Sequence, residues 1–267
     1  MKKLSKGTYL GKNTFEYNLD GIILTTNEYQ EGLSSSWHYH ENTYFALIQK
    51  GGSIERRKNE TIECKPGMLL FYNFEEAHCN ENYRSHSRNF SVEMEDSWYE
   101  KFDIDKRKLP GCFIVDDVIV KSLFTNIFKE TIIDDHYSKL GIEGLLLQIF
   151  TQVLREPPSK QPPAWVEKIR ELIFYEEPGN LNLDYLSAQV QIHPVNLSKG
   201  FANYFQCSFS EYIRTLKCQR ALQLLSKKHL SVDEVAWETG FTDASHLAKV
   251  FRSIYHITPS AYRKSLS

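Results

Sequence analysis

The sequence predicts an α+β multi-domain chain with a strand-rich front half, a helical stretch behind it, and an all-α C-terminal region. Three observations carry that expectation. Short apolar runs bounded by turn residues fill roughly the first 110 positions. Apolar residues then recur at helical spacing up to Arg155. Between Glu156 and Pro163, four of eight residues are proline, a composition that fits neither helix nor central strand and reads as a linker. The expected organisation is therefore a barrel over 1–110, a helical segment over 111–155, a linker over 156–163 and a final domain over 164–267.

Within the front half, Tyr44 to Ile48 is a strand candidate ending at Lys50-Gly51-Gly52. Ser53 to Arg57 and Thr61 to Cys64 flank Lys58-Asn59-Glu60, a hairpin signal. Pro66-Gly67 makes a further turn before Met68 to Tyr72, apolar enough for a buried strand. Closely spaced strands of this kind favour a sandwich or barrel. From Asp117 onward, Val118, Leu123, Ile127 and Phe128 mark one helix, and Ile142, Leu145, Leu146, Ile149, Phe150 and Val153 a second. The second is more apolar than one face requires, so the barrel, its partner helix or a second subunit should cover it. A homodimer contact through these helices and packing against the barrel are both open.

The 41% hydrophobic and 25% charged content is that of a globular protein, and 267 residues suffice for two cores. Net charge is −2 and unevenly spread. From Lys160 onward 13 basic residues face 10 acidic ones, whereas the remainder holds 19 against 24. A mildly basic tail on an acidic front fits a nucleic-acid binder joined to another module. The five cysteines form no CxxC pair, which argues against a disulfide framework or structural zinc and suits a reducing compartment. Positive charge near Met1 has no apolar run behind it, and no stretch reaches about 18 apolar residues. A cytoplasmic location away from membranes is expected.

The tail contains one helical unit twice. Leu183 and Leu186 match Val232 and Val235 at a spacing of 49, and Leu197, Lys199, Phe201 and Tyr212 match Leu247, Lys249, Phe251 and Tyr262 at 50. One extra residue has entered the turn of the second copy. Each copy reads as a short helix, a turn and a second helix, with apolar residues anchoring a second helix that must protrude. Gly240 supplies the left-handed turn residue in copy two, and Gln191 takes that place in copy one. Pro194 suits a first helical turn, and Asp243 suits a helix N-terminus. The exposed positions expected to meet DNA are His193, Val195, Asn196, Ser198 and Lys199, then Ala244, Ser245, His246, Ala248 and Lys249. Asn can pair with adenine, Lys with guanine or phosphate, and Val or Ala can touch a thymine methyl.

Residues Ala164 to Lys264 resemble the DNA-binding domain of the AraC/XylS transcription regulators. The most specific stretch runs from Glu234-Val235-Ala236-Trp237 through Gly240-Phe241 and Ser245-His246-Leu247-Ala248-Lys249-Val250-Phe251 to Thr258-Pro259-Ser260-Ala261-Tyr262-Arg263. The family pattern is A-x-x-x-G-F-x-[DS]-x-S-[YH]-F-x-R-x-F-[KR], then G-x-[TS]-P-x-x-[YF]-R. This chain departs from it with Leu247, Lys249 and His256, and in the first copy with Lys199 and Gln206. The resemblance implies recognition helices in successive major-groove segments of promoter half-sites, with RNA polymerase as a further partner. Lysine lacks the bidentate guanidinium fork, so Lys199 and Lys249 are expected to favour phosphate.

In the front half, Gly32, His38, His40, Gly67 and His78 resemble the cupin pattern G-x5-H-x-H-x3,4-E-x6-G followed by a third His. His38 and His40 alternate along one strand and would share a barrel face. The carboxylate position holds Tyr44 or Phe45, and Glu41 lies on the wrong face to substitute. No metal, cofactor or catalytic residue is assigned on this basis. A small-molecule effector pocket lined by His38, His40, Tyr44, Phe71 and His78, a barrel serving structure and dimerisation, and a metalloenzyme remain the three readings. The aromatic supply suits a pocket and a plain core equally.

Overall fold

The computed structural model of the chain describes residues 1–154, 163–205 and 207–266. The expected linker, 156–163, lies outside the described residues but for Pro163, and so does Gln206. Two compact units emerge: residues 1–117 with 130–141, and residues 118–129 with 142–267.

In the first unit the strands are β1 (Lys2–Leu4), β2 (Lys12–Leu19), β3 (Ile22–Tyr29), β4 (His38–His40), β5 (Thr43–Lys50), β6 (Ser53–Arg57), β7 (Thr61–Cys64), β8 (Leu69–Tyr72), β9 (His78–Glu81), β10 (Ser87–Met94) and β11 (Phe113–Val115). A short helix, α1 (Asp96–Lys101), precedes the last of them. The expected barrel takes the form of two hydrogen-bonded sheets. One has the order β1-β4-β9-β6-β7 and the other β11-β8-β5-β10-β3-β2. The Lys58–Glu60 hairpin is present, with Ser53 paired to Cys64 and Arg56 to Thr61.

Side-chain alternation sorts each strand into two faces. On β5 and β8, Tyr44 pairs with Tyr72 and Ala46 with Leu70, turning toward the five-stranded sheet. Phe45 pairs with Phe71 on the opposite face, where Phe71 packs 4.9 Å from Phe45 and 5.0 Å from Phe113. Trp98 of α1, Phe90 and Met94 are also fully buried in this unit.

The two expected middle helices are α2 (Val118–Ile133) and α3 (Ser138–Leu154). Ile142, Leu146, Ile149 and Phe150 of α3 are fully buried, which accounts for its apolar excess. The second unit continues with α4 (Ala164–Tyr175), α5 (Leu183–Val190), α6 (Pro194–Phe205), α7 (Phe209–Leu225), α8 (Val232–Glu238), α9 (Ala244–Tyr255) and α10 (Pro259–Ser265). Val166 and Ile169 of α4 share a core with Leu186, Leu197, Phe201 and Ile213. Around the second copy, Val235, Ala236, Leu247, Phe251, Tyr255 and Tyr262 are buried. Helix α7 joins the halves and touches the base of α2, its Gln219 Nε2 donating to the Val118 carbonyl at 2.7 Å.

Candidate functional site

The duplicated sequence folds as a duplicated structure. Helices α6 and α9 are each 12 residues long and start 50 positions apart. Their entry signals are local. Asn182 caps α5 by accepting from Tyr185 N, and Ser231 caps α8 in a reciprocal box with Glu234. Asp243 caps α9 by accepting from His246 N at 2.7 Å, as its position in the sequence suggests. Helix α6 opens with Pro194, where no amide hydrogen is needed, and His193 Nδ1 accepts from Val195 N at 3.3 Å.

The turns differ as the sequence implies. Gly240 has φ +73°, and its carbonyl accepts from Lys217 Nζ at 2.8 Å. Gln191 is left-handed at φ 56°, ψ 39°, a conformation that costs a side-chain-bearing residue about 1–2 kcal/mol. The apolar sides of α6 and α9 face inward through Leu197, Phe201, Leu247 and Phe251. Left on the outside are His193, Val195, Asn196, Ser198 and Lys199 in copy one, and Ser245, His246 and Lys249 in copy two. Ala244 and Ala248 are half-buried beside them. Sequence reasoning missed Arg252 and Thr242. Arg252 is exposed three residues beyond Lys249, and Thr242 Oγ1 lies 2.8 Å from His246 Nδ1. The three-residue spacing of Lys249 and Arg252 was the available signal.

A second constellation lies in the first unit. His38 sits opposite His78 across β4 and β9, and His40 follows two residues on, so three imidazoles share one face. One ligand atom from each lies within 4.8 Å of the others. His38 Nδ1 is 2.9 Å from the Ser36 carbonyl and His78 Nδ1 is 3.2 Å from that of Glu76. A carbonyl only accepts, so both rings carry their proton on Nδ1 and present a bare Nε2 lone pair. Tyr44 Oη lies 3.4 Å from His78 Nε2 and is the donor of that pair. The His40 ring has no hydrogen-bond partner among the described residues and packs against Tyr9 and Tyr44 at 5.2 and 4.5 Å. Burial drives its pKa down to about 2, with the neighbouring His78 and His38 adding to the shift. Burial lowers His78 to about 4 against an opposing pull from Glu55, and lowers His38 as well. All three rings are neutral at physiological pH.

Of the residues expected to line a pocket, His38, His40, Tyr44 and His78 meet around one cavity, and Phe71 does not. Phe71 points to the other side of β8, and its neighbour Tyr72 takes the place, because a strand alternates faces. Sequence reasoning also missed Glu55, the carboxylate of the cavity. It is fully buried, bonded by Arg57 Nε at 2.6 Å, by Asn80 Nδ2 at 3.3 Å and by the Tyr72 hydroxyl. Its signal was β6 itself: Ser53, Glu55 and Arg57 alternate onto one face of a hairpin strand. Tyr9, from the segment before β2, also lines the cavity and donates to the buried carboxylate of Glu93 at 3.2 Å.

The cavity volume is ≈ 30 Å³, room for a water or an ion. The cupin-like pattern read from the sequence implies a divalent cation at such histidines, and the donor set here fits one. Three neutral imidazoles, two of them with fixed tautomers, would hold it, and it would supply a Lewis-acidic charge in a buried pocket. The missing carboxylate led the sequence reading to assign no metal; Glu55, engaged by Arg57, does not join the three-histidine cluster.

Two like helix-turn-helix units, each exposing a polar second helix, define a tandem helix-turn-helix domain. Residues 186–265 match a family described as a helix-turn-helix domain, and the chain carries such a domain of the AraC type. The chain is 32% identical over 127 residues to the HTH-type transcriptional regulator YpdC of Escherichia coli strain K12, covering 44% of this chain and 42% of that protein. It is 25% identical over 260 residues to the HTH-type transcriptional regulator YfiF of Bacillus subtilis strain 168, covering 96% and 79%. Among solved structures, ToxT of Vibrio cholerae aligns with 92% of this chain and 98% of that one, at 15% identity and a TM-score of 0.38. The matches to YpdC and to the regulatory protein PocR of Salmonella typhimurium span less than half of each relative, 42% and 46%. No described helix is long and apolar enough to cross a membrane.

Proposed function

We propose that the chain is a sequence-specific transcription regulator that binds promoter half-sites through α6 and α9. On this reading it works in the cytoplasm as a homodimer, controlled by a small effector in its front-half cavity, and contacts RNA polymerase when bound. The observation that carries the reading is the repeat itself: two anchored helices, 50 residues apart, each presenting polar and cationic side chains outward. A helix in the major groove needs this division between an apolar root and a reading face. Val195, more than half exposed, offers an apolar contact for a thymine methyl, and Asn196 a bidentate partner for adenine. Lys199, Lys249 and Arg252 supply phosphate attraction.

The assignments of the sensor to 1–110, the helical segment to 111–155, the linker to 156–163 and the DNA-binding domain to 164–267 belong to the same proposal. Ile132, Ile133, Tyr137 and Leu140 leave apolar surface exposed around the α2–α3 turn, which supports a dimer contact there. The chain is read as a regulator rather than an enzyme, with no catalytic residue assigned. Selection of fragments from the source genome by the purified full chain tests it. Enrichment of a few related sequences, weakening steeply with salt, is expected. Retention of all fragments alike, or of none at low salt, would refute the proposal.

A further inference from the structure

We infer that α9 reads its half-site through the Nε2–H of His246, and that Thr242 is the positioning residue that keeps the proton on that nitrogen. The base so read must offer an acceptor, and cytosine is rejected there. The inference rests on the reading above, in which α9 lies in the major groove, and names the base class that this helix selects. It begins with the ring's neighbours. His246 is exposed in the first turn of α9, yet its ring is held from two sides. Its Nδ1 lies 2.8 Å from Thr242 Oγ1, and the ring stands edge-to-face with the buried Phe241, centroids 5.3 Å apart. The backbone beneath is fixed too, since His246 N donates to the Asp243 carboxylate at 2.7 Å. The other ring nitrogen, Nε2, has no hydrogen-bond partner among the described residues.

Chemistry assigns the direction of the Thr242 contact. A hydroxyl hydrogen rotates to suit its partner, and a bare imidazole nitrogen is a stronger base than a hydroxyl oxygen. Thr242 therefore donates to Nδ1 of the neutral ring, which puts the ring's own proton on Nε2. In the charged ring both nitrogens are protonated and the Thr242 oxygen accepts instead. Nε2 carries a proton in either state, so the helix always offers a donor there. Copy one carries the same device. His193, the residue before α6, accepts the Val195 amide at Nδ1, and an amide only donates, so its proton also sits on Nε2. In the major groove guanine shows N7 and O6 acceptors, adenine N7 and thymine O4, whereas cytosine shows only its N4 donor. A fixed N–H therefore suits guanine best, with its two neighbouring acceptors, and meets cytosine donor to donor. A ring free to turn or to move its proton would accept from the cytosine amine and lose that discrimination. Thr242 thus gives an ambivalent side chain one polarity.

The test uses the full chain and a fragment it has selected, with each base of the segment protected by α9 replaced in turn by the other three. Fluorescence anisotropy should show cytosine disfavoured by about tenfold or more at the base that His246 contacts. His246→Ala should level the preference at that base and leave the others. Thr242→Val, which exchanges the hydroxyl for a methyl, should bring cytosine to within about threefold of guanine there, and Thr242→Ser should keep the discrimination. None of these variants should alter the salt slope, since no phosphate contact is removed. Nitrogen NMR of the labelled histidine rings in the DNA-free chain gives a second measurement, the His246 signals being identified by their loss in His246→Ala. The neutral ring should show a protonated Nε2 and a bare Nδ1. A proton on Nδ1 overturns the inference. So does a Thr242→Val chain that keeps the natural preference, or one that weakens all bases alike, the mark of a merely structural threonine. A natural chain that favours cytosine at the His246 base overturns it as well. If fragments are retained selectively while His246→Ala changes no base, the regulator stands and this inference falls. If the natural chain selects no fragment, the regulator reading falls and takes this inference with it.

Discussion

Exchanging the turn residues of the two helical units isolates one backbone term. Gln191 and Gly240 occupy equivalent turns, at φ 56° and +73°. The left-handed region costs about 1–2 kcal/mol for a residue with a Cβ. Gln191→Gly removes that strain, while the added freedom of glycine in the unfolded chain returns about 0.5–1 kcal/mol. A net stabilisation of about 0.5–1 kcal/mol is expected. The reverse change, Gly240→Ala, adds the same strain and more. Its Cβ would lie 3.0 Å from the Gly179 Cα and 3.2 Å from Lys217 Nζ, which bonds the Gly240 carbonyl. The backbone neighbour must shift, so a loss of about 2–3 kcal/mol is expected. Thermal unfolding of the second unit should rise by a few degrees for the first variant and fall by more for the second, at about 2–4 °C per kcal/mol. A destabilised Gln191→Gly, or a Gly240→Ala indistinguishable from the natural chain, would refute the strain assignment.

Three further outcomes follow from the same geometry. Lys199→Ala and Lys249→Ala should each weaken DNA binding across sequences and lower the slope of log affinity on log salt by about 1, measured by fluorescence anisotropy at several salt concentrations. Phe71→Ala should cost about 3–5 kcal/mol in urea unfolding, because Phe71 is fully buried beside Phe45 and Phe113. Burial raises the Glu93 pKa above its ordinary 4.5, against hydrogen bonds from Asn42, Gly7 and Tyr9. The neutral acid is therefore favoured on folding, and its contribution is present below pH 4.5 and lost as pH rises through the raised value. Glu93→Gln should flatten that upward loss in the pH dependence of unfolding; an unchanged profile would assign the pH dependence elsewhere.

The parts of the structure written in local chemistry were legible from sequence. The duplication, the Asp243 cap, Pro194 at the start of α6 and the left-handed Gln191 all follow from residues within a few positions of each other. The alternation of His38 and His40 and the pairing of β6 with β7 are of the same kind. What escaped was register. Whether Phe71 or Tyr72 faces the cavity depends on which residue of β8 meets Tyr44, and a one-residue change exchanges every face. Glu55 escaped because a buried carboxylate is recognisable only with its partners, and Asn80 and Tyr72 arrive from other strands. The Asp20-Gly21 turn between β2 and β3, with Gly21 at φ +75°, went unread because β2 on one side of it is too polar to stand out.

The claim that the repeated tail reads duplex DNA with both of its second helices is tested most directly by hydroxyl-radical footprinting of a selected fragment. Each subunit of the natural protein should protect two segments about one helical turn apart, roughly 10–10.5 base pairs. Asn196→Ala should erase one segment and Ser245→Ala with His246→Ala the other. A footprint confined to one segment, or one that neither set of substitutions alters, would contradict the account.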